Sequence, residues 1–142
     1  MSTEENKAIA RRWVEEIWDK GSVAAMDELL AANFVFNYAA AEEASGREGY
    51  ERTVTMYHTV SPDMHYAVDD IVTEGDKVAV RWTGQGTHKG DLMGIAPTGK
   101  QVTITGISIL RIAGGKIVEE WGEINLLGAL QELGAFPPPS QA

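Results

Sequence analysis

The hydrophobic period of this 142-residue chain shifts near its middle, and that shift limits the folds open to it. Up to Val60, apart from one aromatic run, the apolar residues recur every three or four positions, as on one face of a helix; from Ser61-Pro62 to Ile124 the chain reads as β-strands. Ile9, Trp13, Val14, Ile17 and Trp18 predict a first helix from Thr3 to about Lys20, capped by Ser2 or Thr3 and ended by Gly21. Ser22 caps a short second helix presenting Val23, Met26, Leu29 and Leu30, and Asn33 closes it before an aromatic strand, Phe34 to Tyr38. The small, acidic stretch Ala39 to Gly46 reads as a loop, after which Tyr50, Val54, Tyr57 and His58 predict a third helix, Arg47 to Val60. Met64 to Thr73 and Lys77 to Thr87 form a hairpin about Glu74-Gly75-Asp76, and Lys100 to Ile112 and Lys116 to Ile124 form another about Ala113-Gly114-Gly115. A glycine-containing loop, His88 to Gly99, links the hairpins at the rim of the sheet. A short helix, Leu126 to Leu133, and the tail Pro137-Pro138-Pro139 end the chain. Helices followed by an antiparallel meander make an α+β domain.

At this length there is room for one domain, and no Pro-, Gly- or Ser-rich stretch is long enough to be a linker. The chain has no cysteine, so disulfides, thiolate metal sites and cysteine nucleophiles are excluded. A net charge of -9 repels phosphate backbones and anionic lipid, so neither nucleic acid nor a membrane is an expected partner. The start Met-Ser-Thr-Glu-Glu-Asn lacks the pattern of a signal peptide, and a cytoplasmic setting is expected. The three histidines, His58, His65 and His88, are scattered without an i, i+4 pair or an acidic partner, and no metal is predicted.

The run Glu74-Gly75-Asp76-Lys77-Val78-Ala79-Val80-Arg81-Trp82-Thr83 is followed by Gly86-Thr87-His88-Lys89-Gly90 and Gly94-Ile95-Ala96-Pro97-Thr98-Gly99-Lys100. Gly115-Lys116-Ile117-Val118-Glu119-Glu120-Trp121 and Leu126-Leu127-Gly128-Ala129-Leu130-Gln131-Glu132-Leu133-Gly134 continue the order. Together they resemble the signature of the SnoaL-like polyketide cyclases, within the larger nuclear-transport-factor-like superfamily that includes ketosteroid isomerases. The resemblance implies one SnoaL-like domain over residues 1–136 with a short tail at 137–142. It implies three N-terminal helices packed on a strongly curved antiparallel sheet, a cone enclosing a pocket for a small hydrophobic molecule, and a homodimer through the open face of the sheet. It also implies aldol-type ring closure without metal or organic cofactor. In that chemistry a carboxylate held off bulk water removes a proton beside a carbonyl, and hydrogen-bond donors meet the developing enolate.

The family pattern places its aspartate four residues beyond the strand tryptophan, and here Trp121 is followed at that distance by Asn125, which cannot carry a proton away. Alternation puts Trp121, Glu123 and Asn125 on one face, so Glu123 is either the substitute base or a solvated carboxylate at the strand end. Asn125 can cap the last helix, line the pocket, or both. His88 at the loop rim is a candidate proton relay or a tie between loop and sheet. The catalytic candidates are Glu123, Asn125 and His88; the substrate-binding candidates are His58, Trp82, Trp121, Phe36 and Tyr38. Arg81 and Arg111 read as partners of sheet carboxylates such as Asp69, Asp70 or Glu120. Two other functions stay open: a non-catalytic binding domain, marked by a pocket without a desolvated carboxylate, and an epoxide-hydrolase type, marked by an arginine between two acids in the cavity.

Overall fold

The structure is a computed structural model that describes residues 2–38 and 46–135. The expected loop beyond Tyr38, up to residue 45, and the proline tail lie outside the described residues. Ser2 opens α1 (Thr3–Arg12) with a capping box: its Oγ accepts the Glu5 N–H, and the Glu5 carboxylate accepts the Ser2 N–H. The helix runs on without a break as a π-helical stretch, Trp13–Asp19, so the expected helix from Thr3 to about Lys20 is one rod with two hydrogen-bonding patterns. Ala10, Trp13, Val14, Ile17 and Trp18 form its buried face. Ser22 caps α2 (Val23–Leu29), and β1 (Leu30–Asn37) follows at once, four residues earlier than the aromatic run alone predicts. The third helix, α3 (Arg47–Val60), keeps its predicted bounds and buries Tyr50, Val54, Tyr57 and Val60.

The strands are β2 (His65–Glu74), β3 (Lys77–Thr87), β4 (Gln101–Ala113) and β5 (Lys116–Ile124), and α4 (Leu126–Glu132) follows. The sheet order is β1-β5-β4-β3-β2. It is not wholly antiparallel: β1 runs parallel to β5, because the chain crosses through α3 and the β2–β4 meander before β5 returns beside it. The sheet is curled rather than closed, and the fold is α+β. Register shifts interrupt the β1–β5, β2–β3 and β4–β5 ladders, and such bulges bend and twist a sheet where they fall. Val78, Val80, Ile104, Leu110 and Ile117 face the helices and build the core, each side chain contributing roughly 1.5–3 kcal/mol by leaving water.

Candidate functional site

The interior holds a carboxyl group that alternation from Trp121 misplaces. In the β4–β5 ladder Ile112 pairs with Ile117 and Arg111 with Glu119, so Val118 is an extra residue. One extra residue reverses the parity of everything beyond it. Ile117 faces the core, and past the bulge so do Glu120 and Gly122, while Glu119, Trp121 and Glu123 turn outward. Glu120 is 3% exposed. Its partner is a phenol and not an arginine: Tyr50 Oη donates to Glu120 Oε1 at 2.7 Å, and Ser108 also bonds the carboxylate. Arg111 pairs instead with Glu119, which also accepts the Asn37 amide, and Arg81 approaches Asp69 at 3.8 Å on the outer face. Tyr50 accepts the indole N–H groups of Trp13 and Trp18 at 2.8 and 2.7 Å, and Ser108 accepts that of Trp82 at 3.3 Å. Burial pushes the Glu120 carboxyl up to about 7, although the Tyr50 and Ser108 hydrogen bonds pull the other way. Burial likewise holds the Tyr50 phenol well above its usual range, so it remains a proton donor.

Of the expected binding residues, Phe36 and Trp82 lie at this network. The Phe36 ring packs edge-on to Tyr50 with centroids 5.0 Å apart and stacks on half-buried Tyr38 at 5.8 Å. Burial, and then the charge of Glu123, raise the Tyr38 phenol above its usual range. Beside the network, an internal void of about 10 Å³ bounded by Trp13, Val14, Trp18, Tyr66 and Trp82 has room for at most one water molecule.

Trp121, Glu123 and Asn125 lie across the sheet from it. They line an open cleft of about 840 Å³ on the outward face, together with Asn37, Arg81, Ile107 and Ile109. The roomy cleft and the desolvated carboxyl are therefore on opposite sides of the sheet. They come nearest at Gly122, whose backbone lines the cleft and whose missing Cβ would lie 3.2 Å from Glu120 Oε2. Asn125 caps α4, its Oδ1 accepting the Gly128 N–H at 3.0 Å.

The histidines stand apart. His88 is buried, its Nδ1 accepting the Thr98 N–H at 3.2 Å and lying 3.0 Å from Thr98 Oγ1, which ties the loop to the sheet; Nε2 has no hydrogen-bond partner among the described residues. His58 Nε2 meets the Trp18 carbonyl at 2.6 Å, at the end of the π-helical stretch. His65 bonds Asp19 at the surface. Among the described residues, no three His, Asp or Glu side chains converge as metal ligands.

In sequence, adjacent Glu119 and Glu120 on a strand point to opposite faces, so one of the two belongs on the core side; the pairing of Arg111 with Glu119 in the structure shows that it is Glu120.

Several solved structures share this architecture. AclR from Streptomyces galilaeus matches with a TM-score of 0.85 and 29% identity, over 96% of this chain and 100% of its own. TsrD from Streptomyces laurentii matches with a TM-score of 0.85 and 26% identity, over 96% and 99%. IdmH from Streptomyces antibioticus matches with a TM-score of 0.78 and 30% identity, over 92% and 99%. No curated protein sequence matches the chain. The family model for SnoaL-like polyketide cyclase matches residues 8–133, which include every element from the end of α1 to α4, and the chain belongs to that family.

Proposed function

We propose that this chain is a cofactor-independent proton-transfer enzyme of the polyketide-cyclase type, acting on a hydrophobic carbonyl compound, with Glu120 carrying the proton. The observation that carries this reading is a carboxyl group in an aromatic interior, its ionisation raised to about 7 by burial. A general base works best with a pKa near the operating pH, and burial is the usual way to bring a glutamate there. The ionised carboxylate takes the proton from the carbon beside a carbonyl. The C–H electron pair becomes the enolate, which attacks a second carbonyl to form the new C–C bond. The alkoxide so formed takes the proton back from Glu120. One neighbour supports the class, IdmH, which is provisionally described as a polyketide cyclase; AclR is provisionally described as a hydroxylase, a different chemistry.

The desolvated Glu120 weighs against a mere binding domain, and the outward placement of Arg81 and Arg111 weighs against an epoxide-hydrolase arrangement. The narrow interior void adds a condition: substrate reaches Glu120 by displacing aromatic side chains, so binding should change tryptophan emission. The test is deuterium exchange, followed by NMR, at the activated carbon of aromatic β-keto esters. Glu120→Gln should lose roughly 10²–10⁴-fold in exchange rate while Glu123→Gln keeps it. Loss confined to Glu123→Gln would move the base to the outer face, and no exchange by the wild type would remove the enzyme reading.

The partner we propose for the outward face is a second copy of the chain. Ladder pairing aligns Val72, Ala79, Ile109 and Trp121 in one apolar row across it. Glu74, Lys77, Arg111 and Glu119 flank the row on one side, and Asp70, Arg81 and Glu123 on the other. Acids and bases occur on both flanks, so two such faces can meet with opposite charges opposed.

A further inference from the structure

The direction of every hydrogen bond reaching Glu120 can be worked out from donor counts. An indole N–H donates and cannot accept. Trp13 and Trp18 occupy the lone pairs of Tyr50 Oη, at 2.8 and 2.7 Å, so the one proton of that hydroxyl goes to Glu120 Oε1, 2.7 Å away. Trp82 occupies one lone pair of Ser108 Oγ, and an ionised carboxylate can only accept, so Ser108 donates to it. Three indoles thus act on one carboxylate through two hydroxyls, and the Tyr50 hydroxyl, with both lone pairs filled, is not free to reverse.

The helix geometry is fitted to this arrangement. Trp13 and Trp18 are five residues apart, and on an α-helix that spacing leaves side chains about 140° from each other. A π-helix bonds i to i+5 and turns less per residue, so residues five apart come closer to a common face than on an α-helix. The π-helical stretch begins at Trp13 and includes Trp18, and both indoles reach the same oxygen. An unbroken α-helix would carry one of them away from Tyr50.

We propose that the π-helical stretch Trp13–Asp19 is a donor clamp that locks Tyr50 as the positioning residue of Glu120. This rests on the reading of Glu120 as the proton carrier and adds what controls it. Among the described residues, the groups facing Glu120 are Tyr50 from α3, itself titratable; Ser108 from β4; and Phe36 from β1. The Asn37 amide reaches only the Glu120 backbone carbonyl, and the charged side chains next to it on β5 point outward.

The experiment follows the carboxyl carbon of Glu120 by NMR through a pH titration of 13C-glutamate-labelled protein, with Glu120→Gln to assign the signal. Tyr50→Phe removes the clamped donor and should raise the midpoint by about one unit or more, a tenfold change. Trp18→Phe leaves Tyr50 free to turn and should raise it by less. A midpoint in Tyr50→Phe unchanged from the wild type would overturn the clamp. Should either variant fail to fold, the wild type still decides: the indole N–H signals of Trp13 and Trp18 should shift with the same midpoint as Glu120 and stop shifting in Glu120→Gln. Indole signals indifferent to Glu120 would also overturn it. No substrate enters these titrations, so a working clamp with no deuterium exchange would refute only the enzyme reading. Exchange dependent on Glu120 with an immobile midpoint would refute only the clamp.

Discussion

Glu120 binds its proton more tightly in the folded chain than in the unfolded one, about 7 against an ordinary 4.5, and this gives stability a definite slope with pH. Between those values the folded state holds more protons, so the stabilisation that Glu120 contributes is fully present below about pH 4.5 and is lost as pH rises through 7. The difference is worth about 3 kcal/mol. Urea unfolding at a series of pH values should therefore show the wild type losing stability across this window relative to Glu120→Gln. A constant difference between the two proteins would mean that the carboxyl titrates as an exposed one does. Trp121 is the contrasting residue. Read from sequence as a wall of the cone, it stands on the outward face, 37% exposed, under the Lys77 ammonium at 5.5 Å. Trp121→Ala should cost the monomer about 1 kcal/mol in urea unfolding, well short of the 3–5 kcal/mol expected for a buried indole. A loss in the larger range would place the ring in the core.

The strands owe their shape to glycines and bulges as much as to their apolar residues. Gly106 lies under the Trp82 indole: a Cβ there would sit 2.4 Å from Trp82 Cζ2 and 2.8 Å from the Glu123 carbonyl oxygen. Gly106→Ala should lift the indole off β4, break its bond to Ser108 and cost about 1–3 kcal/mol. Unfolding in urea gives the cost, and the Trp82 indole N–H signal reports the broken bond. An unchanged signal would show that the strand yields instead. The bounds of α3, β3 and β5 were legible because chain breakers or turns and the hydrophobic period agree there. The facing of β5 was not, since alternation is a local rule and the bulge at Val118 appears only when Ile112 and Arg111 are known to lie opposite. That single residue hid Glu120 and promoted Glu123. The π-helical turn was equally hidden, because Ile9, Trp13 and Ile17 fit an α-helical stripe, and only the meeting of Trp13 and Trp18 on Tyr50 shows the wider turn.

At the scale of the whole molecule, the two faces of the sheet have different work. The inner face is filled by the aromatic core around Glu120, whereas the outer one leaves Val72, Ile107, Ile109 and Trp121 in contact with solvent. An apolar row on an open sheet tends to be covered, and its charged flanks suit a copy of itself. Against this stands a net charge of -9 on each copy, which repels at long range. Long-range repulsion is screened at about 10 Å in 0.1 M salt, while apolar contact is not weakened by salt. Association should therefore strengthen as salt is raised, the reverse of what a contact held mainly by ion pairs would do. Sedimentation equilibrium should give twice the chain mass at moderate salt, with a shift toward monomer when salt is removed. Trp121→Glu, placing a charge in the middle of the row, should give monomer throughout while leaving the Glu120 titration unchanged, because the substitution is on the far side of the sheet. A wild type that stays monomeric at every salt concentration would end the second-copy proposal and leave the 840 Å³ cleft open to a small ligand.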